Sequence, residues 1–291
     1  MNIAFIGLGN MGLGMATNLA KHHRVRALDI SPNAVARAVE AGCDAVTDSA
    51  HALDGAEVVV TMLPAGAHVR MVYADLFAHA APGTLMIDCS TIDVDSARDV
   101  ISEATERGFA MIDAPVSGGV AGAAAGSLTF MCGGEAEAFA RARPLLDVMG
   151  TNVFHAGPAG NGQVAKICNN MLLGIHMIGT CEAFNLAQRL GLDAQTFYNI
   201  SSTASGQNWS MTSYCPAPGP VPNAPSNRDY QPGFAAAMML KDLRLAKEAA
   251  TTARAATPLG AQAEALYALM EAAGEGGLDF SGVMKLIDGS L

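Results

Sequence analysis

The sequence predicts an α/β chain: a doubly wound, mostly parallel sheet in the first half and an all-α second half, joined by one long helix. Three observations carry this. Short apolar runs alternate with helical stretches up to about residue 160, residues 163–190 then run on without a strong breaker, and everything beyond reads as helix or loop. Alternating strands and helices are the mark of a parallel sheet covered on both faces. At 291 residues the chain is long enough for roughly two domains, expected over 1–161 and 162–291.

The elements follow in order. Asn2–Ile6 is a short apolar run ending in glycine, and a helical pattern continues to about His22. Residues 25–30 form the second strand; the helix over 33–41 is announced by Ser31-Pro32, a cap followed by a first-turn proline. Further strands are expected over 58–63, 85–89, 109–115, 128–132 and 152–155, with Gly122 and Gly126 in a continuing loop. The 163–190 helix would be about 42 Å long at 1.5 Å per residue, weakened slightly by Gly174 and Gly179. Six prolines from Pro216 to Pro232 exclude a regular helix there. Helices return over 234–255 and 259–273.

Composition narrows the function classes. With 51% hydrophobic and 15% charged residues, the chain buries a core and is not disordered. Seventeen Lys and Arg against 27 Asp and Glu, with no long basic run, argue against nucleic-acid binding. The six cysteines contain no C-x-x-C pair and read as free, buried thiols rather than a redox or zinc motif. The seven histidines show no metal-ligand spacing, so no metal is expected. The most apolar stretch, 171–187, contains His176, Glu182 and Asn185 and reads as a core helix, not a membrane span. The first strand begins at Asn2 with no basic region before it, which reads as a cytoplasmic chain or a mature one whose leader has been removed.

Gly7-Leu8-Gly9-Asn10-Met11-Gly12 is a G-x-G-x-x-G placed between the first strand and the first helix. Alone the hexapeptide is a weak signal; its context makes it a Rossmann-type dinucleotide fingerprint. The first glycine permits the tight turn, the second lets a pyrophosphate approach the backbone, and the third lets helix pack on strand. Unpaired N–H groups of the helix start then face the phosphates. Asp29 closes the second strand, 20 residues after Gly9, where a carboxylate would accept from an adenosine ribose and repel a 2′-phosphate. NAD is therefore expected over NADP. Leu63 and Pro64 at one strand end, and Thr91 at the next, fall on the sheet edge where ligands bind.

Four blocks, in order over nearly the whole chain, resemble the β-hydroxyacid dehydrogenase family. They are the glycine hexapeptide; Asp113-Ala114-Pro115-Val116-Ser117-Gly118-Gly119; Gly162-Gln163-Val164-Ala165-Lys166-Ile167-Cys168-Asn169-Asn170; and Lys241-Asp242-Leu243. The segment 214–234, with Asn223-Ala224-Pro225 and Arg228-Asp229-Tyr230-Gln231-Pro232-Gly233-Phe234, is similar to that of the 3-hydroxyisobutyrate branch. The resemblance implies NAD-dependent oxidation of 3-hydroxyisobutyrate to methylmalonate semialdehyde in valine breakdown. It also implies a small anionic hydroxyacid as partner, and a homodimer or homotetramer.

The chemistry asks for a base, and Lys166 serves if desolvation and the cationic nicotinamide ring disfavour its ammonium form; the resemblance also implies Lys166. Gln163, Lys166 and Asn170 recur at steps of three and four on one helical face. Such a polar stripe on an apolar helix is costly unless paired or wet. Asn170 would orient the lysine or hold the substrate hydroxyl, with Asn169 beside it. Ser117, Gly118 and Gly119 offer a hydroxyl and two unhindered N–H groups for a carboxylate, though a plain glycine turn has the same composition. The family pattern places Lys241 near cofactor or substrate and Asp242 as a polar neighbour. Trp209, Tyr214 and Phe234 are candidates for walling a pocket around a branched methyl group.

The resemblance implies a site in the cleft between the two domains. Rival readings are a sister reductase of tartronate, glyoxylate or succinate semialdehyde, and a dinucleotide-binding protein without turnover. The second is disfavoured because Lys166, Ser117 and both asparagines are present.

Overall fold

A computed structural model describes all residues, Met1–Leu291. The chain separates into two compact units, Met1–Lys166 and Ile167–Leu291. In the first, the order is Asn2–Ile6 (β1), Gly12–Ala20 (α1), Arg24–Leu28 (β2), Pro32–Glu40 (α2), Asp44–Ala45 (β3), Ser49–Leu53 (α3), Val58–Thr61 (β4) and Gly66–His79 (α4). Leu85–Asp88 (β5), Val94–Glu106 (α5), Ala110–Asp113 (β6), Val116–Ser117 (β7), Gly119–Ala125 (α6), Leu128–Gly134 (β8), Ala136–Met149 (α7) and Gly150–Gly157 (β9) follow. Asn161–Arg189 (α8) is a single helix of 29 residues, and the division between the units falls inside it.

Side chains alternate across each strand, so both faces of the sheet can be read from β1. Ile3 and Phe5 enter one core with Val58, Val60, Leu85 and Ile87. Ala4 and Ile6 enter the other with Val59 and Met86. A sheet buried on both faces needs such continuous apolar runs. Strand order is β3-β2-β1-β4-β5-β6-β8-β7, with β9 on β8. The order reverses direction at β1, between its parallel neighbours β2 and β4, the place where ligands bind in open α/β sheets.

Three details depart from the sequence reading. β8 runs antiparallel to β6 and β7, because an apolar run carries no direction until it is paired. The two-residue strands β3 and β7 are too short for any periodicity to register. Gly122 lies inside helix α6 rather than in a loop, and Gly126 closes that helix in the left-handed conformation.

The second unit holds Ala194–Ser201 (α9), Trp209–Thr212 (α10), Ala236–Ala253 (α11), Pro258–Ala272 (α12) and Val283–Asp288 (α13). Its core gathers Met177, Phe184, Met239, Leu243, Tyr267 and Phe280. The proline-rich segment is irregular as expected, yet ordered from within. Ser226 Oγ donates to the Cys215 carbonyl, and Tyr230 Oη donates to that of Pro216 at 2.8 Å. All six cysteines are free thiols, although Cys168 is exposed. No helix is long and apolar enough to cross a membrane.

The start of α8 is set by Asp113 at the end of β6. Its two carboxylate oxygens accept from the Gly160 and Gln163 backbone N–H groups at 2.8 and 2.9 Å. These donors belong to a helix start, which otherwise leaves them unpaired. Asp113 is 1% exposed. Burial pushes its carboxyl up to about 6, against the opposing pull of the two N–H donors, and the carboxylate of Asp88 adds to the rise. A raised acid binds its proton in the folded state while the unfolded chain has already lost it. Its stabilising contribution is therefore full below about 4 and lost as pH rises to about 6, by at most about 1.4 kcal/mol per pH unit. Denaturant unfolding across that window is expected to show wild type losing stability relative to Asp113→Asn, then levelling above it. A flat difference between the two would remove Asp113 as the titrating group.

Candidate active site

The glycine loop sits at the β1 switch point, and each glycine meets a different constraint. Gly7 has φ +95°, and a Cβ there would collide with the Met62 carbonyl. At Gly12 a Cβ would collide with the Gly7 carbonyl and lie 3.2 Å from the Phe5 ring. Gly9 is exposed, and a Cβ on it would meet nothing within 4 Å. The first and third glycines are thus required by the fold, while the second leaves clear space above the backbone. That is the surface a dinucleotide pyrophosphate needs, so the loop fits NAD. Asn10 is exposed and Met11 half-buried at the entry to α1.

Asp29 does more than the sequence suggested. Its Oδ2 accepts from Leu8 N at 2.6 Å and its Oδ1 from Ser31 N at 2.7 Å, so this half-buried carboxylate holds the glycine loop against the end of β2. Each oxygen retains a lone pair for a ribose hydroxyl. Leu8 itself is fully buried in the core and its N–H is taken by Asp29, so its side chain anchors the loop.

At the next strand tips, Asp88 collects Thr61 Oγ1 at 2.7 Å and Ser90 Oγ at 2.6 Å, and Ser90 Oγ accepts from Leu63 N at 2.8 Å. This chain fixes Leu63, which is half-buried; Pro64 beside it is exposed and Thr91 half-buried. Gln163, wholly buried, accepts from Ile92 N at 3.1 Å through Oε1 and donates to the Ser90 carbonyl at 2.8 Å through Nε2. Both ends of its amide are engaged within the fold. On the polar face of α8, Gln163 therefore serves as a brace to the sheet edge.

Lys166, one turn further along α8, is 6% exposed, and Asn170, another turn on, is 2% exposed. Exposed Asn169 donates to Asn170 Oδ1 at 2.9 Å; Asn170 Nδ2 donates to Asp242 Oδ2 on α11 at 2.5 Å. The second oxygen of Asp242 is buried and has no hydrogen-bond partner within the chain. Lys241 precedes it, half-buried. Two residues far apart in sequence, Asn170 and Asp242, thus form one buried polar cluster.

Ser117 ends β7, half-buried, and is followed by Gly118 and Gly119 with φ +134° and +64°. Both angles lie where side chains are strained, so glycine is needed twice in succession. The turn leaves Gly118 exposed beside the Ser117 hydroxyl, a composition suited to a carboxylate. Trp209 stacks on Tyr214 with ring centroids 5.0 Å apart, and Phe234 meets Phe280 edge-on at 5.7 Å.

Sequence reasoning missed Asp88, Asp113 and Ser90 as organisers. A signal was available: the tripeptide Met-Ile-Asp ends two apolar runs, Met86-Ile87-Asp88 and Met111-Ile112-Asp113, and the two aspartates are register partners on β5 and β6.

The model of the NAD binding domain of 6-phosphogluconate dehydrogenase matches residues 2–157. That of the NAD-binding domain of NADP-dependent 3-hydroxyisobutyrate dehydrogenase matches residues 160–287. An NAD-dependent L-serine dehydrogenase of Pseudomonas aeruginosa is 53% identical, over 98% of this chain and 97% of its own. A 3-hydroxyisobutyrate dehydrogenase of the same organism is 50% identical over 99% of both. The solved 3-hydroxyisobutyrate dehydrogenase of Mycobacterium tuberculosis with L-serine has a TM-score of 0.94 at 47% identity, covering 98% of each chain. With its dinucleotide loop and its Lys166–Asn170 helix face, the chain belongs to the β-hydroxyacid dehydrogenase family, as an NAD-dependent oxidoreductase of the 3-hydroxyisobutyrate dehydrogenase type.

Proposed function

We propose that the protein oxidises 3-hydroxyisobutyrate to methylmalonate semialdehyde, with Lys166 as general acid/base. The observation that carries this reading is the buried Lys166 one helical turn from Asn170, which is itself tied to Asp242. The 50% identity of the chain to a named 3-hydroxyisobutyrate dehydrogenase supports a short hydroxyacid as the substrate class.

Gly7, Gly9 and Gly12 with the entry of α1 would hold the pyrophosphate of NAD, and Asp29 its adenosine ribose. Bound NAD supplies the hydride acceptor. Lys166 Nζ takes the hydroxyl proton as the C–O bond becomes a carbonyl, and returns it when the reaction runs toward the alcohol. Asn170, oriented by its bond to Asp242, holds the hydroxyl toward that amine. Ser117 Oγ donates, with the Gly118 and Gly119 N–H groups, to the substrate carboxylate. The four expected cofactor-side positions Leu63, Pro64, Thr91 and Lys241 complete the assignment.

A second reading, L-serine as substrate, has its own support. L-Serine is also a β-hydroxy carboxylate but carries an ammonium where 3-hydroxyisobutyrate has a methyl group. The unpartnered buried Oδ1 of Asp242 is an acceptor suited to that ammonium, and the 53% identical relative is named for L-serine. Initial rates on 3-hydroxyisobutyrate and L-serine with NAD, and on the corresponding semialdehydes with NADH, separate the readings. A kcat/KM for 3-hydroxyisobutyrate at least tenfold above that for L-serine is the expected result; the opposite order would assign L-serine.

Lys166→Ala is expected to lower kcat by about 10²–10⁴-fold, the size of a general acid–base contribution, with the NAD dissociation constant changed little. Near-normal turnover would remove Lys166 from the chemistry. Asp29→Ala is expected to weaken binding of both dinucleotides by loosening the loop, and NAD more than NADP through the lost ribose contact. Equal losses, measured by fluorescence titration, would overturn the ribose assignment.

A further inference from the structure

A further buried carboxylate, remote in sequence from every motif above, organises the second unit. Asp279 is fully buried. Its Oδ2 accepts from Tyr214 Oη at 2.9 Å, Gly233 N at 2.9 Å and Phe234 N at 3.1 Å. Its Oδ1 accepts from Ser281 N at 3.0 Å and Ser281 Oγ at 2.6 Å. Five donors on one carboxylate compensate its desolvation. They also gather three stretches of chain, since Tyr214 lies 65 residues away.

Two consequences follow. The first concerns the aromatic side chains. Tyr214 is stacked between Trp209 at 5.0 Å and Phe280 at 5.3 Å, and the bond to Asp279 fixes the attitude of its ring. Gly233 allows this approach, because a Cβ there would stand 2.6 Å from the Tyr214 hydroxyl. The second concerns α11. Phe234 N is held by Asp279, Phe280 N donates to the Phe234 carbonyl at 2.8 Å, and Ala236 N donates to the Leu278 carbonyl at 2.8 Å. The helix that carries Lys241 and Asp242 therefore begins where Asp279 places it.

We propose that Asp279 is a positioning residue for substrate selection: it holds the Trp209–Tyr214 stack and the start of α11 in one arrangement, so that the group next to the substrate carboxylate is sorted by a rigid wall. This rests on the proposed oxidation of a β-hydroxy carboxylate at the Lys166 site. Asparagine cannot replace Asp279 silently, because its NH₂ must face donors on one side or the other. Tyr214→Phe removes one donor and keeps the ring.

Trp209 is the sole tryptophan, so its emission reports the stack directly. Emission and the ratio of kcat/KM for 3-hydroxyisobutyrate to that for L-serine are measured for wild type, Asp279→Asn and Tyr214→Phe. Ser226→Ala serves as the comparison, since it loses a buried hydrogen bond in the same segment without touching the stack. Expected are an altered Trp209 emission and a selectivity ratio changed roughly three- to tenfold in Tyr214→Phe, the effect of one hydrogen bond, and more in Asp279→Asn. The NAD KM and the Ser226→Ala ratio are expected to stay near wild type. Unchanged emission and ratio in Tyr214→Phe, or an equal ratio change in Ser226→Ala, would overturn the proposal. If Asp279→Asn does not fold, Tyr214→Phe decides alone. Wild type inactive on both substrates would overturn the reading of the reaction, while the emission still tests the tether.

Discussion

Two carboxylates at the ends of neighbouring strands, Asp88 and Asp113, carry the architecture of the first unit's ligand edge. They are register partners on β5 and β6, and each is 1% exposed. A buried carboxylate is tolerated only where donors converge on it. Asp88 draws in Thr61 and Ser90, and through Ser90 it sets Leu63. Asp113 draws in the first turn of α8. Gln163 closes the arrangement by bonding back to Ser90 and Ile92. The rotation of α8 about its axis is thereby settled at its first turn, and the direction of Lys166 follows one turn later.

The packing around this edge is equally demanding. A Cβ on Gly133 would lie 2.5 Å from Asp113 Oδ1 and 2.8 Å from Asn161 N, and one on Gly162 would lie 2.6 Å from Asp113 Oδ2. The helix start therefore touches the strand with no room for a methyl group. Close packing of this kind turns a hydrogen bond into a positional constraint, because neither partner can give way. The same logic appears in the second unit, where Asp279 and Gly233 hold Tyr214. In both units a buried aspartate with a glycine beside it fixes a segment brought in from elsewhere in the chain.

The glycine loop shows how one feature serves fold and ligand together. Gly7 and Gly12 are required by contacts inside the chain, whereas Gly9 is required by nothing the chain itself places there. Asp29 likewise ties the loop through Leu8 N and keeps lone pairs for a ligand. The Asn169–Asn170–Asp242 relay differs: it ends on an oxygen without a hydrogen-bond partner in the chain. Buried acceptors are normally hydrogen-bonded, so this oxygen stands apart from the rest of the cluster.

Local chemistry made much of this legible in the sequence. The glycine spacing, the apolar runs of β1, β4 and β5, the Ser31-Pro32 start of α2 and the unbroken run of α8 are dictated by steric and hydrogen-bonding rules within a few residues. The i, i+3, i+7 spacing of Gln163, Lys166 and Asn170 likewise put them on one face before any coordinates. Only the tertiary structure decided the direction of β8, the division of labour along that face, and the partners of Asp88, Asp113, Asp242 and Asp279. Those depend on which segments meet: Asp113 finds Gln163 50 residues on, and Asn170 finds Asp242 72 residues on. A carboxylate in a sequence announces its charge, but its role is set by the donors that the folded chain brings to it.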